Sequence, residues 1–315
     1  MKLLGRDVTK DLVIKANWLN QAIAPLSIPE LRIIQLAVID ARETGKGLSA
    51  DNPLRIDASR YAEAFNTTRQ NAYARMKEAE STLFKRQFTF TDTDGYPVKS
   101  AWVQDVKYFD GAGAIEMRLT YQVVRGITRI DGAVEFFTQY LLSQTAKLSN
   151  VYAVRLYELL IQWRSVGKTP EFKLENLRGQ LGLCVNEYGQ MKNFKTRVLG
   201  VAIKQINEHT DIEATYEQVK TGVRVTGFTF KFKQKSKAVS EVKATPKEKT
   251  PPKDVSGFAG VELQLLKSLQ ARFPEISEQY VREYAKMAQI DVFGALNRIQ
   301  SDYQPANDFA LAKTD

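Results

Sequence analysis

LRGQLGLCVNEYGQMKNFKTRVLGVAIKQINEH, residues Leu177–His209, is the stretch whose reading decides the fold. A short helical pattern, an irregular turn through 185–190 and a longer helical pattern follow one another, the order of a helix-turn-helix. In the longer part Met191, Phe194, Val198, Val201, Ala202 and Gln205 recur at steps of three and four, which predicts one shared buried face. Lys192, Asn193, Thr196, Arg197, Gly200 and Lys204 lie roughly opposite. Lys and Arg neutralise phosphates, Asn and Arg address base edges, and Gly200 has no side chain to hold the backbone away from a duplex. An ordinary solvated helix shows the same pattern, so the stretch alone does not choose between the two. A related unit earlier in the chain does.

That unit begins with a short strand at Leu54–Asp57, whose Asp57 is placed to cap a helix over Ala58–Phe65. A turn at Asn66-Thr67 leads to a second helix from about Thr68 to Lys85. Ala72, Met76, Ala79 and Leu83 are its expected buried stripe; Gln70, Asn71, Lys77 and Ser81 point away, flanked by Arg69 and Arg75. Phe88 and Phe90 alternate, a turn falls at Thr93-Asp94-Gly95, and a strand-like run continues from Val98 to Phe109, which predicts a hairpin in the place of a wing. Ahead of the unit, Ser27-Ile28-Pro29-Glu30 is a capping box with proline in the first turn. Leu31, Ile34, Val38 and Ala41 then give one apolar face, stopped at Gly45-Lys46-Gly47, which lacks the rest of a P-loop. Leu12–Ala24 reads as an apolar run passing into a weak helix.

The same order of elements returns further on. Asn150–Val166 is an amphipathic helix, Glu171–Leu174 a short strand, Glu175–Leu183 and Met191–His209 the helix pair. Ile212–Val219 and Val223–Phe232 are wing strands joined at Lys220-Thr221-Gly222, with Lys220 and Arg224 placed to touch a minor groove or phosphates. The fold class is therefore α+β: two tandem winged-helix domains, residues 1–130 and 131–235, the second carrying the main reading helix. Between Lys231 and Lys253 there are eight lysines, two acids and three prolines, so 236–256 is expected to be a disordered basic linker. Residues 257–315 regain a helical pattern and are expected to form a small helical appendage.

A length of 315 residues suits two or three domains, and a formal charge of +9 points to an acidic polymer or surface as partner. No apolar run approaches membrane-spanning length, and MKLLGRDVTKD has no apolar core of signal-peptide size, so a cytoplasmic protein with no membrane partner is expected. The single Cys184 is expected as a small buried thiol in a reducing compartment. The single His209 ends a helix, where a cation is favoured, and excludes chemistry that needs two histidines: HExxH zinc sites and the paired-histidine site of rolling-circle nucleases. Neither a metal nor a cofactor is expected. Tyr152, Tyr157, Trp163 and Phe172 read as core; Glu63, Glu78, Glu80 and Glu158 read as solvated or paired.

Four stretches carry a family resemblance: Ile14–Leu26 running into Leu26–Leu36 (LSIPELRIIQL), Tyr61–Phe65 (YAEAF), Tyr152–Leu160 (YAVRLYELL) and Met191–Leu199 (MKNFKTRVL) followed by Ile206-Asn207. Together, over roughly 12–232, they resemble the theta-type plasmid replication initiators, the RepE-like iteron-binding family. The resemblance implies a non-enzymatic initiator that binds origin direct repeats (iterons), opens an adjacent A·T-rich segment and recruits the host initiator and replicative helicase. It also implies a monomer–dimer balance, with the dimer repressing its own promoter at an inverted repeat. On that template Asn193, Lys195, Thr196 and Arg197 fall where the second domain reads the major groove, with Thr196 interrupting the usual basic run. In the first domain Thr68, Arg69, Gln70, Asn71, Arg75 and Lys77 share their helix with Glu78 and Glu80, so a grip on the backbone is expected there. Two other classes share part of this pattern: a tyrosine-dependent nicking enzyme, for which thirteen tyrosines supply nucleophiles but the single histidine gives no metal-binding pair, and a tandem winged-helix repressor with no replication role.

Overall fold

The computed structural model describes residues 8–92, 94–128, 137–235, 266–267, 269–270, 276–279 and 281–282. The chain divides into two compact units, and both winged helices lie in the first. In the second unit Leu266, Leu269, Ile276 and Val281 are buried. The expected linker at 236–256, most of the expected helical region at 257–315 and Thr93 of the first hairpin turn lie outside the described residues.

The N-terminal domain opens with β1 (Leu12–Ala16) and the short α1 (Asn17–Asn20). The apolar run is thus a strand, and the helix expected beyond it is short, only Asn17–Asn20. The partner of β1 is β7 (Phe137–Leu141), far along the chain, an antiparallel pairing that no local pattern announces. The helix α2 (Ile28–Thr44) starts on a complete capping box: Ser27 accepts from the Glu30 backbone and Glu30 accepts from the Ser27 backbone at 2.6 Å. It stops where Gly45 takes φ +72. Nearly every residue from Pro29 to Ala41 is buried, so α2 is a central helix rather than a one-faced one.

Next come β2 (Leu54–Asp57), α3 (Ala58–Ala64) and α4 (Arg69–Leu83). Asp57 occupies the cap position of α3 without making the cap bond; its carboxylate accepts from Arg55 instead. Ala72, Met76, Ala79 and Leu83 form the buried stripe of α4 as the spacing predicts. β3 (Gln87–Thr91) and β4 (Pro97–Ala101) do pair as a hairpin, but they are not the wing. The wing is β5 (Val103–Phe109) with β6 (Ala114–Leu119), and β6 lies between β5 and β2 in a three-stranded antiparallel sheet. The run from Val98 to Phe109 is two strands broken at the buried Trp102, and the break sends each half to a different sheet.

The helices α5 (Tyr121–Thr128) and α6 (Ser143–Ala146) lead to α7 (Val151–Ile161), whose residues from Ala153 onward are all buried. Expected to be amphipathic, α7 is in fact enclosed, and its charges Arg155 and Glu158 are enclosed with it. The second domain repeats the first: β8 (Phe172–Lys173), α8 (Leu174–Gln180), a reading helix, then β9 (Ile212–Thr221) and β10 (Arg224–Gln234) in the sheet order β8-β10-β9. The middle strand of both sheets is the returning wing strand, and one continuous apolar core joins the two domains.

Candidate nucleic-acid interface

The reading helix of the second domain is built in three runs: α9 (Met191–Asn193), a π-helical segment Phe194–Leu199 and α10 (Gly200–His209). Its buried side is Phe194, Val198, Leu199, Ala202 and Ile206, with the Phe194 ring 5.8 Å from Phe228 of β10. Met191, Val201 and Gln205, expected in that face, are only half-buried. The wider π turn shifts the helix phase by one residue, which brings Leu199 and Ile206 inward. Gly200 serves this turn: its N–H bonds the Lys195 carbonyl, and a Cβ there would stand 3.1 Å from the same oxygen.

Arg178 and the turn ahead of this helix hold its start. Arg178 of α8 lies over the Phe194 ring at 5.3 Å and donates to the carbonyls of Glu187 and Tyr188 in the turn. Tyr188 takes φ +49, a conformation uncommon for a bulky residue, and its ring meets Tyr152 edge-on at 6.3 Å. Neither Arg178 nor Tyr188 was singled out from the sequence; an arginine on the inner side of the first helix was the only available signal. Cys184 in the same turn is exposed, contrary to the expected buried thiol, because the turn runs over the surface and its amide is held by the Glu187 carboxylate.

Lys192, Thr196, Arg197, Gly200 and Lys204 are exposed on one side of the reading helix; Asn193 and Lys195 are half-buried beside them. Among the described residues no carboxylate pairs with Lys192, Lys195 or Arg197, while Lys204 stands 3.9 Å from Glu208. The Asn193 amide donates to Gln190 at 3.3 Å. On the second wing Lys220, Thr221, Gly222, Val223 and Arg224 form an exposed tip, with the Val223 side chain entirely in solvent.

The first domain's helix differs in charge. Thr68 accepts from the Asn71 amide as a helix cap, and Arg69, Gln70 and Asn71 are exposed behind it. Arg75 pairs with Glu78 at 2.9 Å, and Lys77 reaches Asp110 at the wing turn at 3.0 Å. The Tyr73 hydroxyl donates to the same Asp110 oxygen at 2.7 Å. That bond and the Lys77 ammonium hold the Asp110 carboxyl below its ordinary range, and Asp110 in turn raises Lys77. Both groups are fully exposed, so solvent screens the pair strongly. Four of the six sequence-expected residues here are thus uncommitted side chains or a cap at the helix start, and two are cations with their own counter-ions.

Of the residues expected as core, Tyr157 is fully buried, and Tyr152, Trp163 and Phe172 are half-buried against the core. Glu158, expected to be solvated or paired, is paired and wholly enclosed. Among the described residues no three His, Cys, Asp or Glu side chains converge as a metal site, and no helix is long and apolar enough to cross a membrane.

Residues 12–161 match the family described as "Initiator Replication protein, WH1", and residues 173–232 match "Initiator Rep protein, WH2". A curated relative, the PI protein of Escherichia coli, is 24% identical over 259 residues, covering 72% of this chain and 84% of its own. An "Uncharacterized 27.6 kDa protein" of Escherichia coli is 25% identical over 225 residues, 68% of this chain and 91% of that one. Among solved structures, the Pi initiator protein in complex with iteron DNA superposes with a TM-score of 0.58 at 21% identity, covering 71% of this chain and 97% of that one. The WH1 domain of a replication protein isolated from a multiple sclerosis patient is 41% identical over 33% of this chain and 82% of its own length, with a TM-score of 0.29.

Proposed function

The chain belongs to the family of initiator replication proteins with paired WH1 and WH2 domains, and from that premise we propose that it starts plasmid replication by binding direct repeats in the origin. The observation that carries this reading is the row Lys192, Lys195, Thr196 and Arg197 on a helix anchored by Phe194, whose three cations have no carboxylate partner among the described residues. Long cations at that spacing, Lys192 and Arg197 exposed and Lys195 half-buried beside them, meet phosphates, and Asn193 and Arg197 have the donors to address adenine and guanine edges. The wing residues Lys220 and Arg224 extend the contact to the flanking groove. The first domain adds Arg69, Gln70 and Asn71, while Arg75 and Lys77, already paired with acids, contribute a weaker backbone grip.

On this reading the second domain reads sequence and the first fixes position. Several copies on tandem repeats neutralise many phosphates and bend the duplex, each bend costing about 1–6 kcal/mol that the contacts offset. An adjacent A·T-rich segment then opens, and the host initiator and helicase are recruited. A dimer of the same chain represses its own promoter at an inverted repeat. The protein acts in the cytoplasm as a binding protein, with no cofactor and no catalytic step of its own.

Footprinting of the purified protein on the DNA beside its gene tests this. Protection of tandem repeats of about twenty base pairs next to an A·T-rich stretch is expected, with permanganate-reactive thymines appearing in that stretch on binding. Protection of a lone palindrome and nothing else overturns the reading in favour of a repressor.

A further inference from the structure

Arg155 lies in the middle of α7, only 3% exposed, and its guanidinium reaches three parts of the chain at once. It donates to Glu158 Oε2 at 2.5 Å, to the Gln180 carbonyl at the end of α8 at 3.0 Å, and to the carbonyls of Asn20 and Ala22 at 2.9 and 3.0 Å. Asn20 and Ala22 belong to the N-terminal domain; Gln180 ends the first helix of the second domain's helix-turn-helix. Glu158 is held in turn by Lys15 of β1 at 2.7 Å and by the Tyr140 hydroxyl at 2.5 Å. A fork of donors fixed in this way has little freedom to rotate.

The surfaces around Arg155 are equally close. A Cβ on Gly179 would stand 3.1 Å from two carbons of the Ile23 side chain, and one on Gly182 would stand 3.1 Å from the Ala24 carbonyl. The Ile23 backbone is itself held, because its N–H and C=O both bond Thr89 of β3, at 2.9 and 3.0 Å, while its side chain, 42% exposed, lies over Gly179. Behind it Phe90 packs on Trp18 at 4.4 Å, and Arg125 covers the Trp18 ring at 4.6 Å. The β3–β4 hairpin, which stands in neither wing sheet, is therefore a strut behind the place where the two domains meet. The α8 helix, whose Arg178 holds the turn before the reading helix, ends against Ile23, the residue whose backbone that hairpin holds.

We propose that this joint, with Arg155 as its positioning residue and Gly179 as its contact point, fixes the distance and angle between the two DNA-facing helices. The protein then reads the spacing between the two halves of its site as well as their base sequence. The inference rests on the DNA-binding reading given above and adds to it a rule about spacing. Flexible tethering of two domains tolerates inserted base pairs, whereas a rigid joint makes each insertion a rotation of about one tenth of a helical turn that one domain cannot follow.

The test uses the full-length protein on a repeat footprinted in the DNA beside its gene, together with duplexes carrying one, two or three base pairs inserted between the halves, and a duplex carrying only the half protected by the second domain. Wild-type protein should lose about tenfold or more in affinity for each misfit spacing. Gly179→Leu improves helix propensity locally and drives a branched side chain into Ile23, opening the joint without touching the reading helix. It should bind the half-site as wild type does, lose about tenfold on the complete repeat, and respond to inserted base pairs by less than about threefold. Adding Ile23→Ala makes room for the leucine and should restore the spacing preference. A spacing profile in Gly179→Leu that matches wild type, or an equal loss on half-site and complete repeat, overturns the inference while leaving repeat binding in place. A wild-type protein that protects no repeat at all fails the functional reading, and the spacing rule with it.

Discussion

Glu158→Ala is the substitution whose cost follows most directly from the coordinates. The carboxylate has no solvent exposure and neutralises two cations that are themselves enclosed, Lys15 at 7% and Arg155 at 3% exposure. Burial alone would raise the Glu158 carboxyl, but the charges of Lys15 and Arg155 and the donors around it hold it below its ordinary 4.5. Burial pushes the Lys15 ammonium the other way, down to about 8, against the pull of Glu158. For charges enclosed in this way the cost of desolvation offsets much of the attraction, so the group adds little net stability over an apolar filling. Removing one partner is different. Alanine leaves Arg155 buried with no counter-ion and takes from Lys15 the carboxylate that holds its proton, a loss of about 3–5 kcal/mol. Against a total of about 5–15 kcal/mol this is a large fraction, and it corresponds to a fall in Tm of about 6–20 °C for a unit of this size.

Urea unfolding followed by tryptophan fluorescence measures that loss, with Glu158→Gln as the shape-preserving control expected to fall between wild type and alanine. A pH series adds the sign. Because the folded value lies below 4.5, the contribution of Glu158 is fully present above pH 4.5 and is lost as pH falls through the folded value. Glu30 behaves alike: burial raises it, and Arg86, the Ser27 amide and Thr82 bring it below its ordinary value. Glu158→Gln should therefore flatten, not abolish, the acid-side fall in stability below pH 4.5. A Glu158→Ala protein within about 1 kcal/mol of wild type, or a glutamine variant with an unchanged acid limb, refutes the reasoning.

Three further outcomes concern the interface. Arg197→Ala should cost about 1–3 kcal/mol in binding to the repeat and relax preference at one base position, measured by titration of a mismatch panel; unchanged affinity means another helix reads the bases. Lys204→Ala should weaken repeat and random duplex alike and lower the slope of log affinity against log salt by about one, read from fluorescence anisotropy at several salt concentrations. Asp110→Asn releases Lys77 from its counter-ion, so the salt slope should steepen; a slope equal to wild type means that α4 does not approach phosphates.

Local chemistry was enough to fix the tandem winged-helix order. The Ser27–Glu30 capping box, the Gly45 stop, the buried stripe of α4 and the outward row on the reading helix are all set by residues within a few positions of one another. Side-chain spacing along a helix and the demands of a cap are short-range, so a sequence states them openly. The family resemblance is equally local, carried by short runs that the matched regions at 12–161 and 173–232 contain.

What only the tertiary structure decided involves partners far apart in the chain. β1 is a strand because β7 lies beside it, and the wing is β5–β6 rather than β3–β4 because β6 pairs with β2. Strand pairing over such separations depends on which edges meet, and no local pattern encodes that. The π turn at Phe194–Leu199 moves the buried face by one residue because Gly200 permits it, a detail below the resolution of three-and-four spacing. Arg155 and Glu158 look like surface charges on an amphipathic helix until β1, α8 and the Asn20–Ala22 segment close over them. Polarity tells a sequence reader that a side chain needs a partner; only the fold says whether water or another residue supplies it.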